Sequence, residues 1–276
     1  MDQPLEDYIS NQNDIVVLNL EHHNLNENDV IKIAQLLTDN YQLQVLNLML
    51  TSLSDTNFTI IANALATNTT LQELNLSYNK IKISGAIQIA NALNTNTTLQ
   101  ELNLSYNNIG IDGAIQIANA LTTNTALRTL NLEANDIGTD GAIQIANALV
   151  TNATLQILNL INNHIDTNGA TSIANLLKNN ITLSEIYLNS NNLRIEGVLQ
   201  IVNSLTTNQS LKKISLALNG LLFHEFDMLV DKLESNYTLT YIKLSYFNVE
   251  RFDEISNRNK KIDDEKRFKT TKSARN

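Results

Sequence analysis

The feature that most constrains this chain is a motif that recurs every 28 residues. The segment LQELNLSYNKI begins at Leu71, and its near copy LQELNLSYNNI begins at Leu99. Related segments begin at the same interval on both sides, at Ile15, Leu43, Leu127, Leu155, Leu183, Leu211 and Leu239. A fixed period of this length, sustained over nine units without insertion or deletion, predicts a repeat protein in which each unit packs against its neighbours.

Each unit combines a strand pattern with a helix pattern. Leu74 and Leu76 alternate with polar residues, which predicts a short strand with one buried face. In GAIQIANAL, the residues Ala86, Ile89 and Leu93 share one apolar helical stripe. Because helices are wider than strands, about 10 Å against about 4.8 Å, stacked units must curve with the sheet inside. The predicted fold class is α/β, a horseshoe-shaped solenoid with a parallel sheet on the concave face and helices on the convex face.

Asparagine recurs at two positions of the unit. One column follows the helices and comprises Asn40, Asn68, Asn96, Asn124, Asn152, Asn180, Asn208 and Asn236. Asparagine tolerates the left-handed conformation, so we expect this column to end each helix in that conformation. A second column follows the strands and comprises Asn79, Asn107, Asn135, Asn163, Asn191 and Asn219, with His23, Thr51 and Phe247 in its place in the outer units. We expect its amides to pair with buried backbone groups.

These residues carry a family resemblance. The L-x-x-L-x-L-x-x-N-x-I run followed by G-A-I-x-I-A-N-A-L resembles the ribonuclease-inhibitor class of leucine-rich repeats, which NOD-like receptors and Ran GTPase-activating protein also carry. The resemblance covers about Ile15 to Val249 and implies the horseshoe fold. It implies a binding role without naming the ligand, since the class serves many. Ribonuclease inhibitor is rich in cysteine, whereas this chain has none, so a ribonuclease target is not implied.

Two segments flank the repeats, which occupy residues 15–249 with an incomplete last unit. Residues 1–14 contain apolar side chains that we expect to cover the open edge of the first unit as an N-terminal cap. Residues 250–276 hold polar residues such as Glu254 and Asn257 where a helical stripe needs apolar ones. We therefore expect a polar C-terminal cap followed by a loose basic tail. This segment has nine Lys/Arg against six Asp/Glu, which leaves a net charge of −12 on the rest of the chain.

Composition excludes several classes of chemistry. The absence of cysteine rules out disulfides, thiolate zinc sites and cysteine nucleophiles. The sequence contains no glycine-rich phosphate loop, nucleophile elbow or HExxH helix. His22 and His23 are adjacent on a predicted strand and point to opposite faces, so they cannot readily bind one metal ion together. Glu73 and Glu101 share a column of adjacent strands, as an acid/base pair would, but repetition of the module explains this placement better. We therefore expect no catalytic residue, no metal, no cofactor and no small-molecule substrate.

The start of the chain and its hydropathy bear on location. The segment MDQPLEDYISNQND lacks the basic and apolar regions of a secretory signal, and no apolar run approaches the ~20 residues of a membrane span. We therefore expect a cytoplasmic monomer.

The predicted binding surface lies where the concave face departs from its own repeat. The central outward column is Asn19, Asn47, Asn75, Asn103, Asn131, Asn159, Tyr187, Ser215 and Lys243, and its asparagines are expected to bond one another along the sheet. In the sixth and seventh units Ile157 and Ile161 point outward, Tyr187 interrupts the column, and Glu133 and Glu185 flank them. An apolar centre with an acidic rim is typical of a protein-binding hot spot, although drift after duplication explains the same departures.

The sequence thus favours a non-enzymatic protein–protein interaction module that binds its partner on the concave face. Overall acidity favours a basic patch on that partner and disfavours nucleic acid. A pathogen effector resembling host leucine-rich-repeat proteins, delivered into a host cell without a classical signal peptide, is one form of such a module. The alternative is a GTPase-activating factor for a small GTPase, by analogy with the Ran protein. Its weakness is that Arg128 and Arg194, the only arginines within the repeats, lie in no diagnostic motif.

Overall fold

The computed structural model describes residues 15–39, 41–244 and 250–273, with the backbone alone for residues 250 and 266–273. Nine strands form one parallel sheet in chain order. They are β1 Val17–Asn19, β2 Val45–Asn47, β3 Glu73–Asn75, β4 Glu101–Asn103, β5 Thr129–Asn131, β6 Ile157–Asn159, β7 Glu185–Tyr187, β8 Lys213–Ser215 and β9 Tyr241–Lys243. Residues one period apart are direct partners, as Leu74 is of Leu102, which confirms the predicted α/β solenoid and its register.

One helix follows each strand. The helices are α1 Glu27–Asp39, α2 Asp55–Thr67, α3 Ile83–Thr95, α4 Gly110–Leu121, α5 Gly138–Leu149, α6 Thr167–Asn179, α7 Arg194–Leu205, α8 Phe226–Leu233 and α9 Glu250–Ser273. In α3 the predicted stripe Ala86, Ile89, Ala90 and Leu93 is buried, and it belongs to one apolar core with the strand leucines. Each fully buried leucine or isoleucine contributes about 1.5–3 kcal/mol, so every unit is stabilised mainly by its contacts with the next.

The asparagines that follow the helices have the expected place but not the expected conformation. Asn96 ends α3 with φ −74° and ψ 127°, which is extended backbone rather than left-handed. From this position its Nδ2 donates to Leu65 O of the preceding unit at 2.8 Å, and its Oδ1 accepts from Leu99 N at 2.8 Å. The same pair of bonds recurs at Asn68, Asn124, Asn152, Asn180, Asn208 and Asn236. The expectation of a left-handed cap was therefore wrong, because the extended backbone lets the amide tie two units together; Asn40 lies outside the described residues.

The asparagines that follow the strands serve buried backbone groups, as predicted. Asn107 is buried, and its Nδ2 donates to Leu76 O at 3.1 Å and to Leu104 O at 3.0 Å. Its Oδ1 accepts from Ile81 N at 3.0 Å. Donation to the preceding unit recurs at Asn79, Asn135, Asn163, Asn191 and Asn219. In the second unit Thr51 is buried and donates to Leu48 O at 2.7 Å, while Phe247 lies outside the described residues.

The left-handed conformation occurs instead at the ends of the strands. The residue just before each strand-end asparagine has positive φ, for example Tyr78 at 55° and Tyr106 at 54°. Bulky side chains adopt this conformation at a cost of roughly 1–2 kcal/mol, so the tight turn is held by the asparagine bonds that follow it.

The C-terminal segment differs from the expected loose tail, because α9 extends from Glu250 to Ser273. Its buried stripe is Phe252, Ile255, Ser256 and Asn259, at the i, i+3, i+4 and i+7 positions of a helix. The residues that suggested a missing stripe, Glu254, Asn257, Arg258 and Lys261, lie on its other faces. The expectation that this segment lacks a buried stripe was wrong, because its buried residues occupy different positions of the 28-residue unit from those of the repeat helices.

Polar bonds attach α9 to the end of the solenoid. Asn259 Nδ2 donates to Leu239 O at 2.8 Å and to Asn236 O at 3.1 Å, where a further repeat would have placed its own asparagine. Arg251 forms ion pairs with Asp231 at 2.9 Å and Glu234 at 2.6 Å. The helix therefore continues the bonding pattern of the repeats over the last strand. The N-terminal cap expected for residues 1–14 lies outside the described residues and stays a prediction.

Candidate functional site

The sheet face turned away from the helices, called the concave face here, is formed by alternate residues of the strands. In β6 the middle residue Leu158 is buried, whereas Ile157 and Asn159 are half-buried. The same alternation holds in β7, where Ile186 is buried between Glu185 and Tyr187. The inward and outward assignment made from the sequence is therefore correct for these strands.

The structure brings the five residues of the predicted patch together. Ile157 is the direct partner of Glu185 across β6 and β7, and Asn159 is the partner of Tyr187. Asn159 also links the other two members, because its Oδ1 accepts from Ile161 N at 3.0 Å and its Nδ2 donates to Glu133 at 3.2 Å. All five side chains are half-buried rather than fully exposed. Their role in binding a partner stays a prediction.

Tyr187 is held in place by its neighbour in the strand. Its hydroxyl donates to Glu185 Oε2 at 2.6 Å, and Glu185 Oε1 forms an ion pair with Lys213 Nζ at 2.8 Å. Burial, followed by the bond to Glu185, raises the pKa of the Tyr187 phenol above its ordinary value. The Tyr187 phenol is therefore fixed and protonated at neutral pH, and the charge of Glu185 is largely offset by Lys213.

The outward asparagines do not form the expected ladder of mutual bonds. Asn75 Oδ1 accepts from Ser77 N at 3.0 Å, and Asn103 Oδ1 accepts from Ser105 N at 3.0 Å. The same bond to the residue two positions on recurs at Asn19, Asn47, Asn131 and Asn159. No hydrogen bond joins two of these side chains in the described part of the sheet. Each amide oxygen instead accepts from a backbone N–H at the end of its own strand, so these asparagines shape the turn that follows.

Sequence reasoning missed a groove on the concave face of β2 to β5. It has a volume of about 390 Å³, and Glu73, Asn75, Glu101 and Asn103 are among its lining residues. Glu73 and Glu101 are exposed and directly opposite each other on β3 and β4. Their shared column was visible in the sequence, but it was attributed to repetition alone.

Two tyrosines stack at the ends of the same strands. The rings of Tyr78 and Tyr106 are parallel within 8°, with centroids 4.1 Å apart. The Tyr106 hydroxyl donates to Glu133 Oε1 at 2.9 Å, and this bond is the largest cause of a raised pKa of the Tyr106 phenol. The signal in the sequence was the repeated LSYN, which places both tyrosines at one position of the unit.

Other candidate chemistry is scattered. Within the described ranges, no group of three or more His, Cys, Asp or Glu side chains is placed to hold a metal ion. Arg128 immediately precedes β5, whereas Arg194 begins α7 beyond the end of β7, so the two arginines lie at opposite ends of the strands. Among residues 15–39, 41–244 and 250–273, no helix has both the length and the apolar character that a membrane crossing requires.

Comparison with known families identifies four of the repeats. Four consecutive segments, residues 67–90, 95–118, 123–146 and 151–174, match the family model described as Leucine Rich repeat. These segments contain the strands β3 to β6 and the first part of each of the helices α3 to α6. Residues 67–174 therefore contain four leucine-rich repeats, and the nine-stranded sheet has the fold of a leucine-rich-repeat solenoid.

Similarity to individual proteins is low. The actin-binding site 2 of leiomodin-1 is 19% identical, with a TM-score of 0.46, over 65% of this chain and 90% of that chain. The C-terminal domain of tropomodulin from Caenorhabditis elegans is 20% identical, with a TM-score of 0.48, over 57% of this chain and 98% of that chain. No curated protein matches the sequence significantly. Likeness at this level assigns no partner to the present chain.

Proposed function

We propose that this protein is a protein–protein interaction module that binds a partner on the concave face and catalyses no reaction itself. One observation carries the proposal: the stripe residues of the repeat helices are buried with the strand leucines, whereas the outward residues of β1 to β7 remain exposed or half-buried. On the concave face the sixth and seventh strands present Ile157 and Tyr187 where β3 to β5 present polar residues. Half-exposed apolar side chains in such a position favour binding to another protein.

The centre of the proposed interface is formed by Ile157, Ile161 and Tyr187. Tyr187 gives a large contact area with few rotatable bonds, and its bond to Glu185 fixes the ring before a partner arrives. Such preorganisation lowers the ordering cost of association. Glu133 supplies an acidic edge, whereas Glu185, already paired with Lys213, serves to position the tyrosine.

Charge supports a protein partner with a basic patch. The chain has a net charge of −9, which repels the phosphates of nucleic acid and attracts cationic surfaces. If the partner belongs to the cytoplasm of another organism, the module acts as an effector.

The test is affinity capture with the wild-type protein, Tyr187→Ala and Gln116→Ala. Gln116 is exposed on α4 and provides a matched control on the convex side. We expect Tyr187→Ala to weaken the binding of a captured partner by about 2 kcal/mol, which raises the Kd roughly thirtyfold. We expect Gln116→Ala to bind like wild type. Circular dichroism establishes that both variants are folded. Loss of the partner by Gln116→Ala, with normal binding by Tyr187→Ala, would assign the functional surface to the helices instead.

A further inference from the structure

The groove over β2 to β5, together with the tyrosines that follow β3 and β4, has a chemistry of its own and shares only Glu133 with the patch around Tyr187. Glu73 and Glu101 are direct cross-strand partners, and both are exposed. Neither carboxylate has an ion pair or a side-chain hydrogen bond with the described residues. The outward positions of β1 to β7 contain no lysine or arginine, so no cationic side chain of these strands offsets the two charges.

Two like charges in this arrangement are unfavourable. Adjacent strands lie about 4.8 Å apart, and like charges directly opposite each other destabilise a sheet. A cationic group placed between the two carboxylates removes that repulsion and gains two attractions. The groove provides the room for such a group, with a volume of about 390 Å³ above these residues.

The stacked tyrosines provide a second, independent reason to expect a cation. Tyr78 and Tyr106 are 41% and 39% exposed, so part of the stacked pair is open to a ligand. A guanidinium or ammonium group within about 6 Å of a tyrosine ring is attracted to the face of that ring. Glu133, fixed by the Tyr106 hydroxyl, places a carboxylate beside the same ring. An aromatic face next to a held carboxylate suits an arginine side chain, which stacks and forms bidentate bonds.

We propose that this groove and the tyrosine stack beyond the ends of β3 and β4 together bind an extended segment of the partner protein that carries two basic side chains, preferably arginines. One cation lies between Glu73 and Glu101, and the other lies over Tyr106 beside Glu133. A strand rises about 3.3 Å per residue, so roughly 13 Å is the upper limit of the distance between Glu101 and Ser105, because β4 ends at Asn103 and the chain turns before Tyr106. An extended ligand spans that distance with arginines about four residues apart. The proposal rests on the concave-face function given above and names the chemistry of the partner.

The experiment uses the full-length protein and a fluorescently labelled synthetic peptide in which three serines separate two arginines. Fluorescence anisotropy should show saturable binding that weakens as salt is raised. The double variant Glu73→Gln/Glu101→Gln should weaken binding about tenfold, since two exposed ion pairs are lost. The matched control Asp112→Asn/Asp140→Asn removes the same charge from exposed helix positions and should change binding less than about twofold.

A second pair of variants tests the aromatic contact. Tyr106→Ala should weaken peptide binding about fivefold through loss of the ring face. Tyr41→Ala removes a tyrosine that is 80% exposed and precedes β2, at the other end of the strands from Tyr106, and it should bind like wild type.

Three outcomes would overturn the inference: no binding of the peptide to the wild-type protein, equal weakening by both charge-removing pairs, or normal binding by Tyr106→Ala. Equal weakening would mean that only the overall negative charge attracts the peptide. The capture experiment with Tyr187→Ala tests the proposed function separately. If capture still depends on Tyr187 while any of these outcomes occurs, the proposed interaction module is retained and only the basic-segment site is rejected.

Discussion

Replacing Asn107 with alanine removes one side chain that serves several buried backbone groups. The carbonyls of Leu76 and Leu104 each keep a second donor, because Asn79 Nδ2 bonds the first at 3.1 Å and Asn135 Nδ2 bonds the second at 2.8 Å. The N–H of Ile81 loses the acceptor that Asn107 Oδ1 provides at 3.0 Å. A buried donor left without a partner costs about 1–3 kcal/mol, so we expect the free energy of unfolding to fall by that amount.

The same column contains an internal control. Asn135 donates to the preceding unit as Asn107 does, but its Oδ1 accepts no hydrogen bond from the described residues. Asn135→Ala therefore leaves no additional N–H unpaired and should cost about 1 kcal/mol less than Asn107→Ala. Asn119→Ala, on the exposed surface of α4, should stay within about 0.5 kcal/mol of wild type.

Urea denaturation followed by circular dichroism measures these differences as shifts of the unfolding midpoint at constant slope. The expected order of destabilisation is Asn107→Ala, then Asn135→Ala, then Asn119→Ala. Equal small shifts for Asn107→Ala and Asn119→Ala would refute the assignment of this column to buried backbone groups.

Three further predictions concern the interface, the tyrosines and the C-terminal helix. Glu133→Lys should mainly slow association with a captured partner and reduce its salt dependence, as stopped-flow kinetics would show; a change confined to dissociation would contradict this. The phenols of Tyr106 and Tyr187 have raised pKa values, so their stabilising contribution is complete below pH ~10 and is lost as pH rises through the folded-state pKa. Absorbance titration should show these two phenols ionising above pH ~10, and ionisation of either in its ordinary range would refute the bonds to glutamate. Asn259→Ala should lower the free energy of unfolding by about 1 kcal/mol through lost bonds to the last repeat, measured in urea against Asn257→Ala on an exposed face; equal midpoints would show that α9 does not cap the solenoid.

The 28-residue period was sufficient to predict the fold, because a parallel sheet of equal units has only one register that keeps Leu74 and its counterparts inside. The strand-end asparagines were also predictable, since a buried turn must satisfy its backbone. Conformation was harder to predict than position. Asn96 can end a helix in more than one way, and contact with the preceding unit selects the extended one.

The C-terminal helix shows where the 28-residue period no longer predicts the structure. Its stripe contains Ser256 and Asn259, which are polar yet buried, and Asn259 is satisfied by backbone carbonyls of the last repeat. No hydrophobic pattern indicates such residues.

The candidate site was predictable only in part, for a similar reason. Register placed Ile157 beside Glu185, but the bond of Tyr187 to Glu185 and the ion pair with Lys213 depend on side-chain rotamers. The carboxylates Glu73 and Glu101 were visible in the sequence, but their lack of partners was not.

The most direct test of a concave binding face is carboxylate footprinting of the protein with and without its captured partner. Carbodiimide labelling read by mass spectrometry reports the accessibility of each acidic side chain. Binding on the concave face should reduce labelling of Glu73, Glu101 and Glu133 and leave Asp112 and Asp140 at the start of α4 and α5 unchanged. Protection of Asp112 and Asp140, with unchanged labelling of the three glutamates, would contradict the account and assign binding to the helices.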